Sequence, residues 1–412
     1  MAELKVEIDP ADAGFDPERL ARIGSHFGAY VEDGRLAGWL SLISRDGRIA
    51  HLETAGHRDK EAGLPVESDT LFRTWSLTKP ITSVAAMILY EEGRLGLHEP
   101  VSDYIPSLAN VRVYQRGPVA APVTVPAAEP VRIWHLLTHT AGFTYGFHHA
   151  HPVDEIYTAE GFEWSAPPEM DLATAVDTWA GLPLLHHPGE RWNYGVSSDI
   201  LGRVIEIVSG QTLDRFFAER VFEPLGLTDT GFWVPEADAH RLAGLYAANP
   251  ADGKAVRNEA LGGNPTVKPR LLSGSSGLIT SAGDYHRFLH LLLNGGELDG
   301  VRLLSPRTVR YMTRNQLPGG ADLATIGRPV LFGLPSFGGL GFGFGFATVQ
   351  DAAAAKVISN EGEFSWYTAS SMFFWVDPVE RLIGLFFAQL VPVRRHPLYS
   401  RVRQLAYQAL VD

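Results

Sequence analysis

Ser76 and Lys79, the serine and lysine of a Ser-x-x-Lys pattern, are spaced for nucleophilic chemistry. The apolar residues that follow them predict a buried helix of about four turns that starts near Ser76. Residues three apart share a helix face, so the Lys79 amine can approach the Ser76 hydroxyl. Pro80 has no N–H to return to the Ser76 carbonyl, and the backbone N–H of Ser76 stays free at the helix entrance. Acyl transfer needs an amine that removes the serine proton and a backbone donor that faces the developing oxyanion.

This short pattern also fits an N-cap serine followed by a solvated lysine, so its interpretation depends on the rest of the chain. Further blocks occur in order, and they are residues 135–142 (HLLTHTAG), 193–202 (NYGVSSDILG), 274–285 (GSSGLITSAGDY) and 373–378 (FFWVDP). Together with residues 76–79 they resemble the serine β-lactamase-like family. The closest group is the family VIII carboxylesterases, which share their fold with class C β-lactamases. The resemblance runs from about residue 15 to the end of the chain.

The resemblance implies roles for three side chains. Ser76 would be the nucleophile, Lys79 its proton partner and Tyr194 a second general acid or base. The chemistry of Lys79 and Tyr194 agrees with these roles. An ammonium favours a neighbouring phenolate while burial favours a neutral amine, so the lysine and the tyrosine can share one proton. Either of them could be the resting base. The alternative for Tyr194 is an ordinary core aromatic residue.

The third motif of the family, Trp-Gly-Gly, falls on Trp366-Tyr367-Thr368 when residues are counted back from 375–378. By that register the backbone N–H of Ala369 is the second oxyanion donor and faces that of Ser76. A register on residues 361–363 keeps a glycine but fits the downstream count less well. Side chains where the family has glycines predict a narrower pocket or a changed acyl preference.

Two positions distinguish an esterase from a β-lactamase. The resemblance places Trp366 where β-lactamases of this fold carry a cation for the substrate carboxylate, and Val196 where they carry an amide. An uncharged ester is therefore the predicted substrate class, and an apolar pocket is expected for it. The aromatic residues near the motifs also suit a plain core. The predicted substrate-binding residues are Trp75, Tyr145, Phe147, Val196, Trp366 and Tyr367.

The predicted function is a serine carboxylesterase that hydrolyses small carboxylic esters through an acyl-enzyme on Ser76. An acyltransferase that uses the same acyl-enzyme is one alternative, and a β-lactamase or D-amino peptidase is another. A catalytically silent binding protein of the same fold is the alternative outside enzymes.

The elements that must position these residues predict an α+β (α/β) fold. Residues 16–31 form an amphipathic helix, and strands at 38–44 and 48–53 are joined by an Asp46-Gly47 hairpin turn. Residues 111–132 are interpreted as an extended loop. The resulting architecture is β-lactamase-like, an antiparallel sheet flanked by helices. Residues 1–95 and 266–412 form one discontinuous α/β domain, residues 96–265 form an inserted, mainly helical domain, and the active site lies in the cleft between them.

Composition excludes several classes of function. The chain of 412 residues has no cysteine, which excludes disulfides and thiol catalysis. A net charge of −12 without a basic cluster argues against nucleic acid and anionic membranes as partners. Charged residues within positions 1–10 leave no export signal, so a cytoplasmic location is expected. The expected partner is a small ester, and the oligomeric state stays open.

Other signals in the sequence are weaker. His148, His149 and His151 stand near Asp154 and Glu155, but the run lacks a His-Glu-x-x-His helix, so neither a metal site nor a cofactor is predicted. His139 is predicted to be a structural hydrogen-bonding residue. The alternating glycines and aromatics of residues 338–346 favour a tightly packed strand over a phosphate cradle. An α/β-hydrolase would need Gly-x-Ser-x-Gly, which does not occur.

Overall fold

The computed structural model of the protein describes residues 4–164, 166–167, 169–328, 337–392 and 396–411. The strands are β1 (Gly38–Arg45), β2 (Arg48–Asp59), β3 (Leu64–Pro65), β4 (Leu71–Arg73), β5 (Arg112–Arg116), β6 (Val123–Pro126), β7 (Tyr246–Ala248), β8 (Ala255–Arg257), β9 (Ile279–Ser281), β10 (Glu297–Leu298), β11 (Val301–Arg302), β12 (Leu340–Phe342), β13 (Ala347–Val349), β14 (Phe364–Tyr367), β15 (Phe373–Asp377), β16 (Leu382–Ala388) and β17 (Leu390–Val391).

The helices are α1 (Pro17–Leu20), α2 (Arg22–Glu32), α3 (Thr78–Glu91), α4 (Ile133–Leu137), α5 (Pro152–Ala159), α6 (Leu172–Gly181), α7 (Ser197–Ser209), α8 (Leu213–Phe217), α9 (Glu223–Leu225), α10 (Ala282–Leu293), α11 (Pro306–Met312), α12 (Leu323–Ile326), α13 (Ala352–Ala355) and α14 (Leu398–Tyr407). Short 3₁₀ turns link several of them, and the turn Trp75–Leu77 leads directly into α3. The helices of the described ranges are all too short or too polar to span a bilayer.

The large antiparallel sheet is built from both ends of the chain. Its strand order is β12-β13-β14-β15-β16-β1-β2-β3, so β16 pairs directly with β1 and aligns Leu385 with Leu42. The predicted turn between β1 and β2 is present, with φ angles of 51° at Asp46 and 75° at Gly47, as a two-residue hairpin turn requires. Every residue of β14, β15 and β16 is buried. A sheet buried in this way must be covered by other elements.

Helices provide that cover. α2 packs on β2, α10 packs on β15 and β16, and α14 packs on both β16 and α2. The predicted fold class, an antiparallel sheet flanked by helices in an α+β arrangement, is confirmed. Between α3 and β9 the chain supplies helices α4 to α9 and two short hairpins. The domain boundaries near residues 95 and 265 stay a prediction.

The extended loop predicted for residues 111–132 is wrong in part. β5 and β6 form an antiparallel hairpin there, and Tyr114 also donates a backbone hydrogen bond of 2.9 Å to Leu184. Val113 is buried at this contact. A half-buried strand normally shows alternating apolar and polar residues, but this hairpin is too short to show that pattern clearly. Part of its packing also comes from the distant segment at Leu184, which the local sequence does not reveal.

The glycine-aromatic run packs tightly, as the sequence predicted. A Cβ at Gly343 would lie 2.1 Å from the Met312 carbonyl oxygen. At Gly345, which has a φ of 91°, a Cβ would lie 2.3 Å from the Ser83 hydroxyl on α3. Only glycine allows this close approach of the sheet to the helix that follows Ser76.

Candidate active site

Ser76 lies on a tight turn between β4 and α3. β4 pairs with β9, and the backbone N–H of Thr74 continues the pairing with a hydrogen bond of 2.9 Å to the Leu278 carbonyl. Trp75 then adopts a φ of 45°, in the left-handed region that non-glycine residues rarely occupy. The Trp75–Leu77 turn follows, and Ser76 is only half-buried there. The serine hydroxyl is therefore accessible at the entrance of the predicted helix.

Lys79 lies one turn further on, inside the protein. Its amine lies 3.3 Å from the Ser76 hydroxyl oxygen and donates a hydrogen bond of 2.9 Å to the Ser275 carbonyl. The side chain is completely buried. Burial lowers the pKa of Lys79 to about 7, although the charge of Asp199 acts in the opposite direction. The neutral amine that could accept the serine proton is thus accessible near neutral pH.

Tyr194, which lies just before α7 in the chain, contacts the same serine. Its hydroxyl shares a hydrogen bond with Ser76 and accepts the Trp366 indole N–H at 3.3 Å. The Lys79 amine lies 4.6 Å from the centre of the Tyr194 ring. Burial raises the pKa of Tyr194 above its usual value, and the hydrogen bonds with Ser76 and Trp366 only partly oppose this. Burial therefore favours the neutral phenol of Tyr194 and the neutral amine of Lys79.

The segment before α7 is fixed by its neighbours. Asn193 donates its side-chain amide to the Phe143 carbonyl at 2.7 Å and its backbone N–H to the His139 carbonyl at 2.9 Å. The His148 ring lies within hydrogen-bonding distance, 2.9 Å, of the Tyr194 carbonyl. These contacts orient the tyrosine towards Ser76.

The histidine run makes local hydrogen bonds and ion pairs. His149 lies between Glu155, at 3.0 Å, and Glu163, at 2.8 Å. His151 accepts the backbone N–H of Val153 and caps α5. In the described part of the chain, no group of three or more His, Cys, Asp or Glu side chains could hold a metal ion.

A buried ion pair stands beside the histidines. The fully buried Asp154 accepts two hydrogen bonds from the Arg328 guanidinium, at 3.1 and 2.8 Å. Arg328 also donates to the Asn193 side-chain oxygen at 3.1 Å. The pair therefore ties the region around α5 to the residue just before Tyr194.

The strand predicted to close the site, β14, packs against the turn that carries Ser76. Trp366 aligns with Phe374 of β15, and Thr368 donates its N–H to the Met372 carbonyl at 2.8 Å. Ala369 follows in the turn and is half-buried. Within the described residues, no backbone carbonyl accepts a hydrogen bond from the N–H of Ser76 or of Ala369. The role of these two N–H groups as oxyanion donors stays a prediction.

Comparison with known proteins agrees with this geometry. The sequence profile of the beta-lactamase family matches residues 23–407. The chain belongs to the beta-lactamase family. Protein Rv1367c of Mycobacterium tuberculosis is 34% identical over 362 residues, 87% of each chain. Esterase EstB of Burkholderia gladioli is 30% identical over 399 residues, 92% of each chain. The structure of EstCE1, a hydrolase with promiscuous acyltransferase activity, matches 95% of this chain and 99% of its own with a TM-score of 0.77 and 26% identity.

The predicted substrate-binding residues of this beta-lactamase family member are placed at different depths. Trp75 and Phe147 are partly exposed, whereas Tyr145, Val196, Trp366 and Tyr367 are buried. Trp366 contacts the Tyr194 hydroxyl through its indole N–H. Val196 is the residue before α7.

A stack of three aromatic rings leads away from Tyr194. The Tyr145 ring packs edge-on against Tyr194 at 5.5 Å and stacks on Phe147 at 5.0 Å. Phe147 in turn stacks on Trp164 at 4.6 Å, with the ring planes 15° apart. Trp164 is partly exposed. Sequence reasoning missed Trp164 because it lies outside the family motifs.

Two buried polar residues next to the site in this beta-lactamase family member were also missed or understood only in part. His139 was predicted to be a structural hydrogen-bonding residue, and its backbone carbonyl accepts the Asn193 N–H, but its buried ring Nδ1 has no hydrogen-bond partner among the described residues. The ring packs on Tyr194 at 4.8 Å, and burial lowers the pKa of His139 well below the usual value. Asp199 lies in the first turn of α7, where an acidic residue looks like an ordinary helix-end residue. Its partners come from residues 273–275, which no local pattern connects to it.

Proposed function

We propose that the protein is a serine carboxylesterase that hydrolyses small, uncharged carboxylic esters through an acyl-enzyme on Ser76. The observation that carries the proposal is the convergence of a buried amine, at 3.3 Å, and a neutral phenol on one accessible serine hydroxyl. The similarity to esterase EstB and to the hydrolase EstCE1 supports ester chemistry.

Acylation begins at the serine. The Ser76 oxygen bonds to the ester carbonyl carbon while its proton passes to the neutral Lys79 amine. The carbonyl oxygen becomes an oxyanion, for which the free N–H groups of Ser76 and Ala369 are the proposed donors. When the intermediate collapses, the C–O bond to the alcohol breaks. The alcohol leaves with the Tyr194 proton, and the Lys79 ammonium returns a proton to the phenolate.

Deacylation repeats these steps with water. A water molecule attacks the acyl carbon and gives a proton to the neutral Lys79. The second intermediate releases the carboxylic acid, and the Ser76 oxygen regains a proton through Tyr194. The neutral amine, the phenol and the free serine are then restored.

The surroundings of the serine favour an ester over a β-lactam. Trp366 occupies the position that carries a cation in β-lactamases of this fold, and its indole is committed to Tyr194. Val196 is buried and has no amide to offer. The stack of Tyr145, Phe147 and Trp164 supplies apolar surface for the acyl or alcohol group.

The direct test is Ser76→Ala assayed with p-nitrophenyl acetate. We expect turnover to fall to the uncatalysed rate, while the melting temperature stays close to that of the wild type. The matched control is Ser83→Ala, which replaces a buried serine further along α3. This variant should retain activity. A fluorophosphonate should label the wild type and Ser83→Ala but not Ser76→Ala. Retained turnover in Ser76→Ala would refute the proposal, and failure of the probe to label the wild type would favour a silent binding protein.

A second candidate function is acyl transfer, which the likeness to EstCE1 favours. The acyl-enzyme would then pass its acyl group to an alcohol in place of water. Product analysis in the presence of a competing alcohol separates the two, since a transferase yields mainly the new ester. A chromogenic cephalosporin tests β-lactamase activity, for which we expect negligible turnover.

A further inference from the structure

Asp199 is a buried carboxylate that forms no salt bridge with any of the described residues. In the part of the chain that the structure describes, its hydrogen bonds come from the Ser273 hydroxyl at 2.6 Å, the Ser275 hydroxyl at 2.5 Å and the Ser275 backbone N–H at 3.2 Å. The side chain is almost completely buried. Burying a charge in this way is unfavourable unless hydrogen bonds compensate for it. The position of the Asp199 carboxylate beside the site therefore indicates a functional role.

Ser275 connects this carboxylate to the catalytic lysine. Its N–H and hydroxyl both donate to Asp199, while its carbonyl accepts the Lys79 amine at 2.9 Å. The preceding Gly274 lies close to two helices, because its carbonyl accepts the Thr82 hydroxyl of α3 at 2.6 Å and a Cβ at this position would lie 2.5 Å from the Ser198 carbonyl oxygen of α7. Ser275 is thus held by Asp199 through its N–H and hydroxyl, and its carbonyl in turn binds the Lys79 amine.

We propose that Asp199 is a positioning residue that holds the Ser275 carbonyl on Lys79 and places a negative charge near that amine. The proposal rests on the proposed function of Ser76, Lys79 and Tyr194. It assigns a role to a residue of α7 that touches neither the nucleophile nor the substrate.

The other groups that face Lys79 carry no charge near neutral pH. Burial raises the pKa of Tyr194 and of Tyr145, and burial lowers the pKa of His139 well below its usual value. Asp199 is the charged group whose field acts on the lysine, and it opposes the effect of burial. Removing the negative charge must therefore lower the pKa of Lys79 further and extend its neutral form to lower pH.

Asp199→Asn tests both parts of the proposal because it keeps the size of the side chain and removes the charge. We expect the acid limb of the pH profile of kcat/KM for p-nitrophenyl acetate to move by about one unit to lower pH. The plateau kcat should fall by roughly 10- to 100-fold because the Ser275 carbonyl is held less firmly. KM should change little, since Asp199 does not reach the substrate.

Asp284→Asn is the matched control. Asp284 is also a fully buried carboxylate that accepts a backbone N–H, from Asp229 at 2.7 Å, and a hydroxyl, from Thr230 at 2.9 Å. It lies on α10 and has no contact with Lys79. We expect Asp284→Asn to leave the acid limb unmoved. An unmoved limb in Asp199→Asn, or an equal movement in both variants, would overturn the proposal.

A second variant covers the case in which Asp199→Asn does not fold. Ser275→Ala leaves the Lys79-binding carbonyl in place but removes a hydroxyl that stabilises the charged form of Asp199. A larger neutral fraction of Asp199 should again move the acid limb to lower pH, and an unmoved limb would again contradict the proposal. The limb can also be read from the rate at which a fluorophosphonate labels Ser76. Ester turnover that survives in Ser76→Ala would instead refute the proposed function.

Discussion

The ion pair of Glu363 with Arg403 and the amine of Lys79 are both buried, but their partners differ. Arg403 donates to both Glu363 oxygens, at 2.5 and 2.6 Å, and the Tyr407 hydroxyl donates to Glu363 at 2.8 Å. Among the described residues, only the oxygens of Ser76 and Ser275 lie within hydrogen-bonding distance of the Lys79 amine. The pair of Glu363 and Arg403 ties α14 to the start of β14. Lys79 instead lies beside the Ser76 turn, against which β14 packs.

The difference in partners separates a structural charge from a reactive one. Burial opposes the charged form of Arg403, but Tyr399, Glu363 and Tyr407 together raise its pKa above the ordinary value. For Lys79, burial prevails and lowers the pKa to about 7. A buried cation paired with a carboxylate stays ionised and holds elements together, whereas a buried amine that contacts neutral oxygens can exchange its proton.

The largest expected effect comes from Lys79→Met, which removes the reactive amine and keeps an apolar chain. We expect kcat/KM for p-nitrophenyl acetate to fall by up to about 10⁴-fold because the serine loses its base. The free energy of unfolding at pH 7 should rise, since the folded state no longer buries an amine. A lower stability than that of the wild type would show that Lys79 is structural.

The stability gain from Lys79→Met should itself depend on pH. The pKa of Lys79 is lowered from 10.5 to about 7 in the folded protein, so the unfolded chain binds more protons between these values. The gain, measured by urea unfolding, should therefore be greatest below pH 7 and shrink as the pH approaches 10.5.

Arg403→Met should destabilise the region around the buried ion pair of Glu363 with Arg403. It leaves Glu363 buried without its cation, which is expected to lower the free energy of unfolding by about 3–5 kcal/mol. At a temperature where the variant is still folded, kcat should stay within a few-fold of the wild type. Urea unfolding and ester hydrolysis measure the two quantities, and a large loss of kcat in the folded variant would contradict the separation.

Two tyrosines allow a matched pair of variants with a smaller effect. Tyr194→Phe removes the phenol that contacts Ser76 and should lower kcat by about 100-fold with little change in stability. Tyr407→Phe removes the phenol that donates to Glu363 and Asp377 and should lower stability by about 1–3 kcal/mol with little change in kcat. Similar losses of kcat in both variants would argue against the distinction.

The pH dependence of the wild type gives the mildest test. Because Lys79 must be neutral to accept the Ser76 proton and its pKa is lowered to about 7, kcat/KM should rise with pH up to about 7 and then level off. Arg403→Met should show the same midpoint. A profile that rises only above pH 9 would identify Tyr194 as the base.

The parts of the site that depend on local pattern could be predicted from the sequence. The helix after Ser76, the Asp46-Gly47 turn and the convergence of Ser76, Lys79 and Tyr194 all agree with the structure. The helix and the turn follow from periodicity and backbone preference, whereas the convergence was inferred from family motifs.

The parts that depend on distant pairing could not be predicted. Asp199 and Ser275 are 76 residues apart, and nothing near either of them indicates the other. The contact of the Trp366 indole with Tyr194 joins residues 172 apart, so the sequence placed Trp366 at the substrate but could not show which group it touches. The relative pKa values of Lys79 and Tyr194 depend on burial, which a motif does not reveal.

The pairing of β1 with β16 has a consequence for synthesis on the ribosome. The central strand of the sheet is translated early, but its partner at residues 382–388 emerges only after more than 300 further residues. β14 and β15, which bring Ala369 to the serine turn, also emerge late. A nascent chain therefore carries Ser76 and Lys79 long before β14 and β15 exist, so these two residues reach their final surroundings only when translation is nearly complete.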